Sequence, residues 1–162
     1  MLITRQGLKQ AHLKLAELQT TVIEHGKEVA ELYNGAGDQW HDNPEWLRAT
    51  QHREALQRQA IHLEGEIHLA TEFIEDMGFD YTVVHPGAEV TIRFVNAPNS
   101  VTYVILGPLE SDPDNNVISA EAPLAIEMMG KQAGDRCHLD SRPFDIVSIV
   151  RWTGLDVKVE EE

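Results

Sequence analysis

The side chains most able to do chemistry crowd into one stretch: Asp38, Trp40, His41, Asp42, Asn43 and Glu45 stand between Gly37 and Trp46. Each also has a plain structural use. Asp and Asn lead the preferences for a helix N-cap, and Pro suits the first helical position, so Asp42 or Asn43 can cap a helix that opens at Pro44. Glu45 would then lie in the first turn, where the macrodipole favours an anion. Trp40 has no apolar partner assigned by periodicity, and its indole is able to stack on a base or a protein surface. Six of the eight histidines (His12, His25, His41, His52, His62, His68) fall in the first half of the chain, yet none makes HExxH or another zinc spacing, so no zinc site is expected. The lone Cys137 excludes an internal disulfide.

Two heptad tracks flank this stretch and must position it. One is Leu8, Ala11, Leu15, Leu18, Val22, His25, Val29, Leu32, and the other is Trp46, Ala49, Arg53, Leu56, Ala60, Leu63, Ile67, Ala70, Ile74, Met77. Steps of three and four alternate in both, which is the seam of a coiled coil. Folding back at residues 33–45 pairs 32 with 46, 29 with 49, 25 with 53, 22 with 56, 18 with 60, 15 with 63, 11 with 67 and 8 with 70. Several layers match a large residue with a small one, as Leu18 with Ala60 and Ala11 with Ile67, which fills space without voids. His25 facing Arg53 is the polar exception. Either Arg53 snorkels while His25 sits at the seam edge, or the layer fixes register at some cost in stability. The first helix is expected from an N-cap at Thr4 to about Leu32, with Gly7 and Gly26 costing about 1 kcal/mol each relative to Ala. Asn34-Gly35-Ala36-Gly37 should end it. The second helix should run from Asn43-Pro44-Glu45 to Met77, where Gly78 stops it. A long hairpin with a polar tip is a device for reaching.

Beyond Gly78 the period changes from 3.5 to 2. Ala88, Val90, Ile92 and Phe94 alternate with polar residues, Val101–Leu106 follows a turn at 96–100, and 117–119 and 144–150 read as further strands. Pro123 to Met129 reads as a short helix stopped by Gly130, with a turn at Gly134-Asp135. The expected class is α+β: a hairpin domain over 1–77 with its acidic tip loop at 33–45, an antiparallel sheet domain with one short helix over 78–159, and an acidic tail at 160–162.

The net charge is −14, with 7 Lys/Arg against 13 Asp/Glu in residues 1–77 and 6 against 14 in 78–162. Neither half has the basic footprint of an autonomous nucleic-acid binder, so any nucleic-acid role needs a partner protein to supply positive surface. There is no run of 18 apolar residues and no apolar stretch at the start like that of a secretory signal. The expectation is a cytoplasmic monomer with no membrane association.

Three segments resemble the bacterial transcript cleavage factors GreA and GreB. Thr4-Arg5-Gln6-Gly7 is similar to the family's opening Thr-x-x-Gly. Gly37-Asp38 followed by Asp42-Asn43-Pro44-Glu45-Trp46 is similar to Gly-Asp-x-x-Glu-Asn-Ala-Glu-Tyr at the tip. Asn116 to Ala125 with Met129-Gly130-Lys131 is similar to Ile-Ser-x-x-Ser-Pro-Ile-Ala and Ile-Gly-Lys. The resemblance implies an FKBP-like second domain that docks at the rim of the RNA polymerase secondary channel, with the coil inserted through it. It further implies that the tip acids, Asp38 and Asp42 here, help hold a second Mg²⁺ in the polymerase's active site so that backtracked RNA is cut. On this view the chain is not itself an enzyme but stimulates the polymerase's own endonuclease. It would contact the RNA 3′ end only within the complex, with Trp40, His41, Asn43 and Glu45 as tip contacts. Carboxylate oxygens suit a hard cation, and two metals clamp the attacking and leaving oxygens of an in-line displacement.

The tip departs from the family in one respect. The family's acids stand three apart, whereas counting from Asp38 puts His41 at the second position. Aligning on the following Asn gives that position to Asp42, with one residue inserted. The alternative function is therefore a Gre-like regulator that occupies the channel and modulates or inhibits the polymerase without efficient cleavage. A stand-alone prolyl isomerase or chaperone would leave the hairpin unexplained, and fold alone does not establish that chemistry.

Overall fold

The computed structural model describes residues 1–36, 43–72 and 80–156. The elements in order are β1 (Leu2–Ile3), α1 (Arg5–Ala36), α2 (Pro44–His68), β2 (Thr71–Glu72), β3 (Ala88–Phe94), β4 (Val101–Leu106), β5 (Val117–Ser119), α3 (Pro123–Met128), β6 (Arg136–Leu139) and β7 (Arg142–Arg151). They form two compact units, Lys9–Leu69 and Met1–Leu8 with Ala70–Glu162. The architecture is α+β, a helical hairpin and a sheet domain. No helix among the described residues is long and apolar enough to cross a membrane.

In the hairpin unit, the apolar period dictates which face is covered. Ala11, Ala60 and Leu63 are buried, and Leu15, Leu18, Val22, His25, Val29, Leu32, Trp46, Ala49, Arg53, Leu56 and Ile67 are half-buried. No track residue described in this unit is exposed. Two contacts fix the register. The rings of His25 and His52 meet edge to face with centroids 4.7 Å apart, and Arg53 Cδ lies 3.9 Å from where a Cβ on Gly26 would stand. Both straddle the expected pairing of 25 with 53.

Both helix ends differ from the pattern-based boundaries. α1 continues through Asn34 and Gly35 to Ala36 instead of stopping near Leu32; Gly35 sits in an exposed last turn with nothing within 4 Å of a would-be Cβ. α2 stops at His68, short of the expected Met77, with Leu69 as C-cap. The apolar track continues in sequence, but the backbone is taken by another partner: Thr71 N–H donates to Met1 O at 2.8 Å, and β2 pairs in parallel with β1. Ile74 and Met77 lie outside the described residues. The unit boundary accordingly falls before Ala70 rather than after residue 77, and the first eight residues go with the sheet.

The five-stranded sheet has the order β5-β4-β3-β7-β6. Its pairings are antiparallel except β4–β5, which is parallel, so the expected antiparallel sheet is in fact mixed. Along β3 the alternation is realised as expected: Ala88, Val90 and Ile92 are fully buried and pack with Ile105, Phe144 and Ile146. α3 lays Ala125 and Met128 onto this core beside Cys137 of β6. The register between β3 and β7 shifts between Thr91 and Ile92, leaving Val147 as the extra residue of a bulge. Gly130 (φ 75°) and Gly134 (φ 95°) take left-handed conformations that a side chain would strain, which is why the chain turns there.

Thr4 is the buried polar residue of the sheet unit, and it is fully used. Its hydroxyl accepts the Gly7 N–H at 2.9 Å, capping α1, and donates to Glu110 Oε1, while its own N–H donates to Glu110 Oε2 at 2.9 Å. A Cβ on Gly7 would overlap the Glu110 carboxylate, and one on Gly107 would overlap the Leu2 carbonyl oxygen. The two glycines therefore play a role that Gly26, with only ordinary contacts around a would-be Cβ, does not. Gly107→Ala is expected to lower stability by about 1–3 kcal/mol, because backbone must move, whereas Gly26→Ala should raise it by up to about 1 kcal/mol through helix propensity. Urea denaturation of the two variants beside the parent checks both signs.

Candidate functional site

The tip is held from the α2 side by a complete N-cap. Asn43 takes extended backbone angles (φ −83°, ψ 106°), and its Oδ1 accepts the N–H of Glu45 at 3.0 Å and of Trp46 at 3.4 Å. Pro44 follows at the first helical position, where its missing N–H costs nothing. The capping role open to Asp42 or Asn43 therefore falls to Asn43. Glu45 lies exposed in the first turn, well placed for the positive end of the helix dipole. Trp46 and Leu32 are both half-buried, as the last layer of the seam requires. Asp38, Trp40, His41 and Asp42 lie outside the described residues.

Beneath the tip, His25, Glu28, Leu32, Glu45, Arg48, Ala49 and His52 line an open groove of about 360 Å³. His25 Nδ1 lies 2.9 Å from Glu28 Oε2, one turn along α1. Among the described residues no three His, Cys, Asp or Glu side chains are grouped so as to hold a metal ion. The described part of the hairpin thus offers carboxylates and imidazoles singly or in pairs.

Pattern reasoning missed two sites in the sheet unit. Glu110 carried no signal except that Gly7 stands in a helix where Ala would be better, a hint that something approaches closely. The second is an arginine pair: Arg136 holds Asp145 through Nε (2.7 Å) and Nη2 (3.0 Å), with Arg93 nearby. The hydrogen bonds from Arg136, and then the charges of Arg136 and Arg93, hold the Asp145 carboxyl below its ordinary range against the opposing effect of desolvation.

Asn43→Ala should cost about 1 kcal/mol by exposing two helix N–H groups, read by urea denaturation with helicity as the signal. Asp145→Asn should be less stable than the parent at neutral pH. Because the folded carboxyl is the stronger acid, its contribution is complete above the ordinary carboxylate range and disappears as pH falls through the depressed folded value, so the two melting temperatures should converge in acid.

The family model described as "Transcription elongation factor, GreA/GreB, C-term" matches residues 80–150, from just before β3 to the end of β7. Transcription elongation factor GreA of Bacillus cytotoxicus is 29% identical over 134 residues, covering 83% of this chain and 84% of that protein. GreA of Clostridium botulinum is 29% identical over 133 residues, covering 82% of each. Among solved structures, the GreA factor homolog 1 protein of Thermus thermophilus is similar at 20% identity and a TM-score of 0.45, over 93% of this chain and 98% of that one. Residues 80–150 thus match the GreA/GreB C-terminal domain, and over most of its length the chain is similar to GreA transcription elongation factors.

Proposed function

We propose that the protein is a transcription elongation factor that binds RNA polymerase, inserts its hairpin into the secondary channel and stimulates cleavage of backtracked RNA. The observation that carries this reading is the hairpin itself. α1 is 32 residues long, about 48 Å at 1.5 Å per residue, and a heptad seam pairs it with α2, so the acidic segment falls at the turn of the rod. A carboxylate delivered at such distance is useful to a partner that has too few metal ligands of its own.

Asp38 and Asp42 are the residues assigned to hold Mg²⁺ together with the polymerase. Carboxylate oxygens are the donors that a hard, six-coordinate cation takes. When bound, the ion stabilises charge on the attacking and leaving oxygens of the RNA phosphodiester. Asn43 does not supply its Oδ1 to this site, because the cap uses it. Its position also bears on the inserted residue: aligned on Asn43, Asp42 takes the place of the family's glutamate, one methylene shorter. Net acidity suits a basic channel, to which complementary charge would steer the rod.

The second reading, a regulator that occupies the channel without efficient cleavage, is favoured by the four-residue step from Asp38 to Asp42. A displacement of about 1 Å can cost about a hundredfold in rate. A stalled elongation complex distinguishes the two. The first reading expects short RNA fragments from the 3′ end, reduced about a hundredfold or more by Asp38→Ala and changed only severalfold by Glu45→Gln, a helix-dipole residue. Binding with slowed elongation and no fragments would establish the second. Failure to bind polymerase would sink both.

A further inference from the structure

We propose that the polar layer in the middle of the hairpin, Arg53 on α2 with His25 on α1, is a register key that positions the tip acids. Apolar layers alone do not choose one register. Slipped by one heptad in one direction, the seam pairs Leu15 with Leu56 and Leu8 with Leu63; in the other it pairs Val29 with Leu56, Val22 with Leu63 and Leu18 with Ile67. All are good core contacts, and against them stands only the short β1–β2 pairing of Leu2 with Thr71 and Ile3 with Glu72, which a slip would have to give up. What both slips share is the fate of the polar pair. Arg53 lands opposite Leu18 or Leu32, and His25 opposite Ala60 or Trp46, so each is separated from the other and set against carbon.

In the observed register two contacts join the layer across the helices: Arg53 Cδ lies 3.9 Å from where a Cβ on Gly26 would stand, and His52 meets the His25 ring edge-on; a slip by a heptad breaks both. The layer is not there for stability. Among the described residues Arg53 Nε and Thr50 Oγ1 are buried without a hydrogen-bond partner, and such atoms cost free energy. A polar pair that weakens a coil while forbidding its alternatives is a specificity device. Its consequence for catalysis, though not the register itself, rests on the function proposed above: a rod slipped by a heptad displaces one helix against the other by about 10 Å, far beyond what metal placement tolerates.

Electron-spin distance measurement on the full chain tests this, with labels at Lys14→Cys and Gln51→Cys, both exposed and offset along the rod by about 20 Å, in a Cys137→Ala background. The parent should give one distance. His25→Leu/Arg53→Leu should melt higher yet show added populations shifted by about 10 Å, with cleavage per bound polymerase falling at least severalfold. Arg53→Lys, still unable to face a leucine, should keep one distance and near-parent cleavage. A single unchanged distance in the Leu/Leu variant overturns the key, and slipped populations with undiminished cleavage overturn its positioning role. A parent that cleaves nothing would indict the reading of the tip, while the distances would still decide the register.

Discussion

Everything the hairpin can do depends on a seam that is long but thin. Two helices can cover only one stripe of each other, and most of the seam is half-buried rather than buried, with Ala11, Ala60 and Leu63 the most enclosed. Helices of this composition are marginal on their own, so side-chain packing along the stripe, not propensity, keeps them formed. A thin seam also explains the alternation of large and small residues across layers. With no third element to fill gaps, each void is open to water, and complementarity between the two facing stripes must do all the excluding.

The same protein treats two partly buried polar clusters in opposite ways. At the start of α1, Thr4 and Glu110 satisfy one another completely, and two glycines stay bare so that the carboxylate and the β1 backbone can approach. Such a cluster fixes the helix start and loses little, because every donor has an acceptor. In the middle of the seam the polar atoms are left short of partners, which lowers stability but penalises other pairings even more. One cluster secures the place where the rod begins, and the other secures how its two arms are aligned.

Much of this was legible in the sequence wherever a period repeats. Seven heptad positions on α1, from Ala11 to Leu32, and their partners on α2 named the seam, and strict alternation named β3, because burial imposes those periods directly. What escaped were features set by long-range pairing. Strands of two residues, β1 and β2, have no period to read, yet they end α2 at His68 although the heptad track runs on. β6 is too short for its alternation, Cys137 in and His138 out, to stand above chance. The parallel pairing of β5 cannot be inferred from Val117–Ser119 itself. Glu110 was invisible because nothing local distinguishes an acid that bonds a residue more than a hundred positions away. At the tip, Asn43 and Pro44 announced the helix start, since capping is local chemistry, while Asp38 and Asp42 lie outside the described residues.

The choice of Asn rather than Asp at the α2 cap bears on what the tip can do. Either residue would satisfy the first N–H groups. An aspartate there would be drawn into those N–H groups and the positive helix end, its charge partly neutralised and its oxygens already accepting. A cap made from a neutral amide takes on the structural task with one oxygen of Asn43 and leaves the neighbouring carboxylates uncommitted by it. The division of labour is then chemical: the amide of Asn43 holds the helix, and Glu45 in the first turn is left exposed beside it.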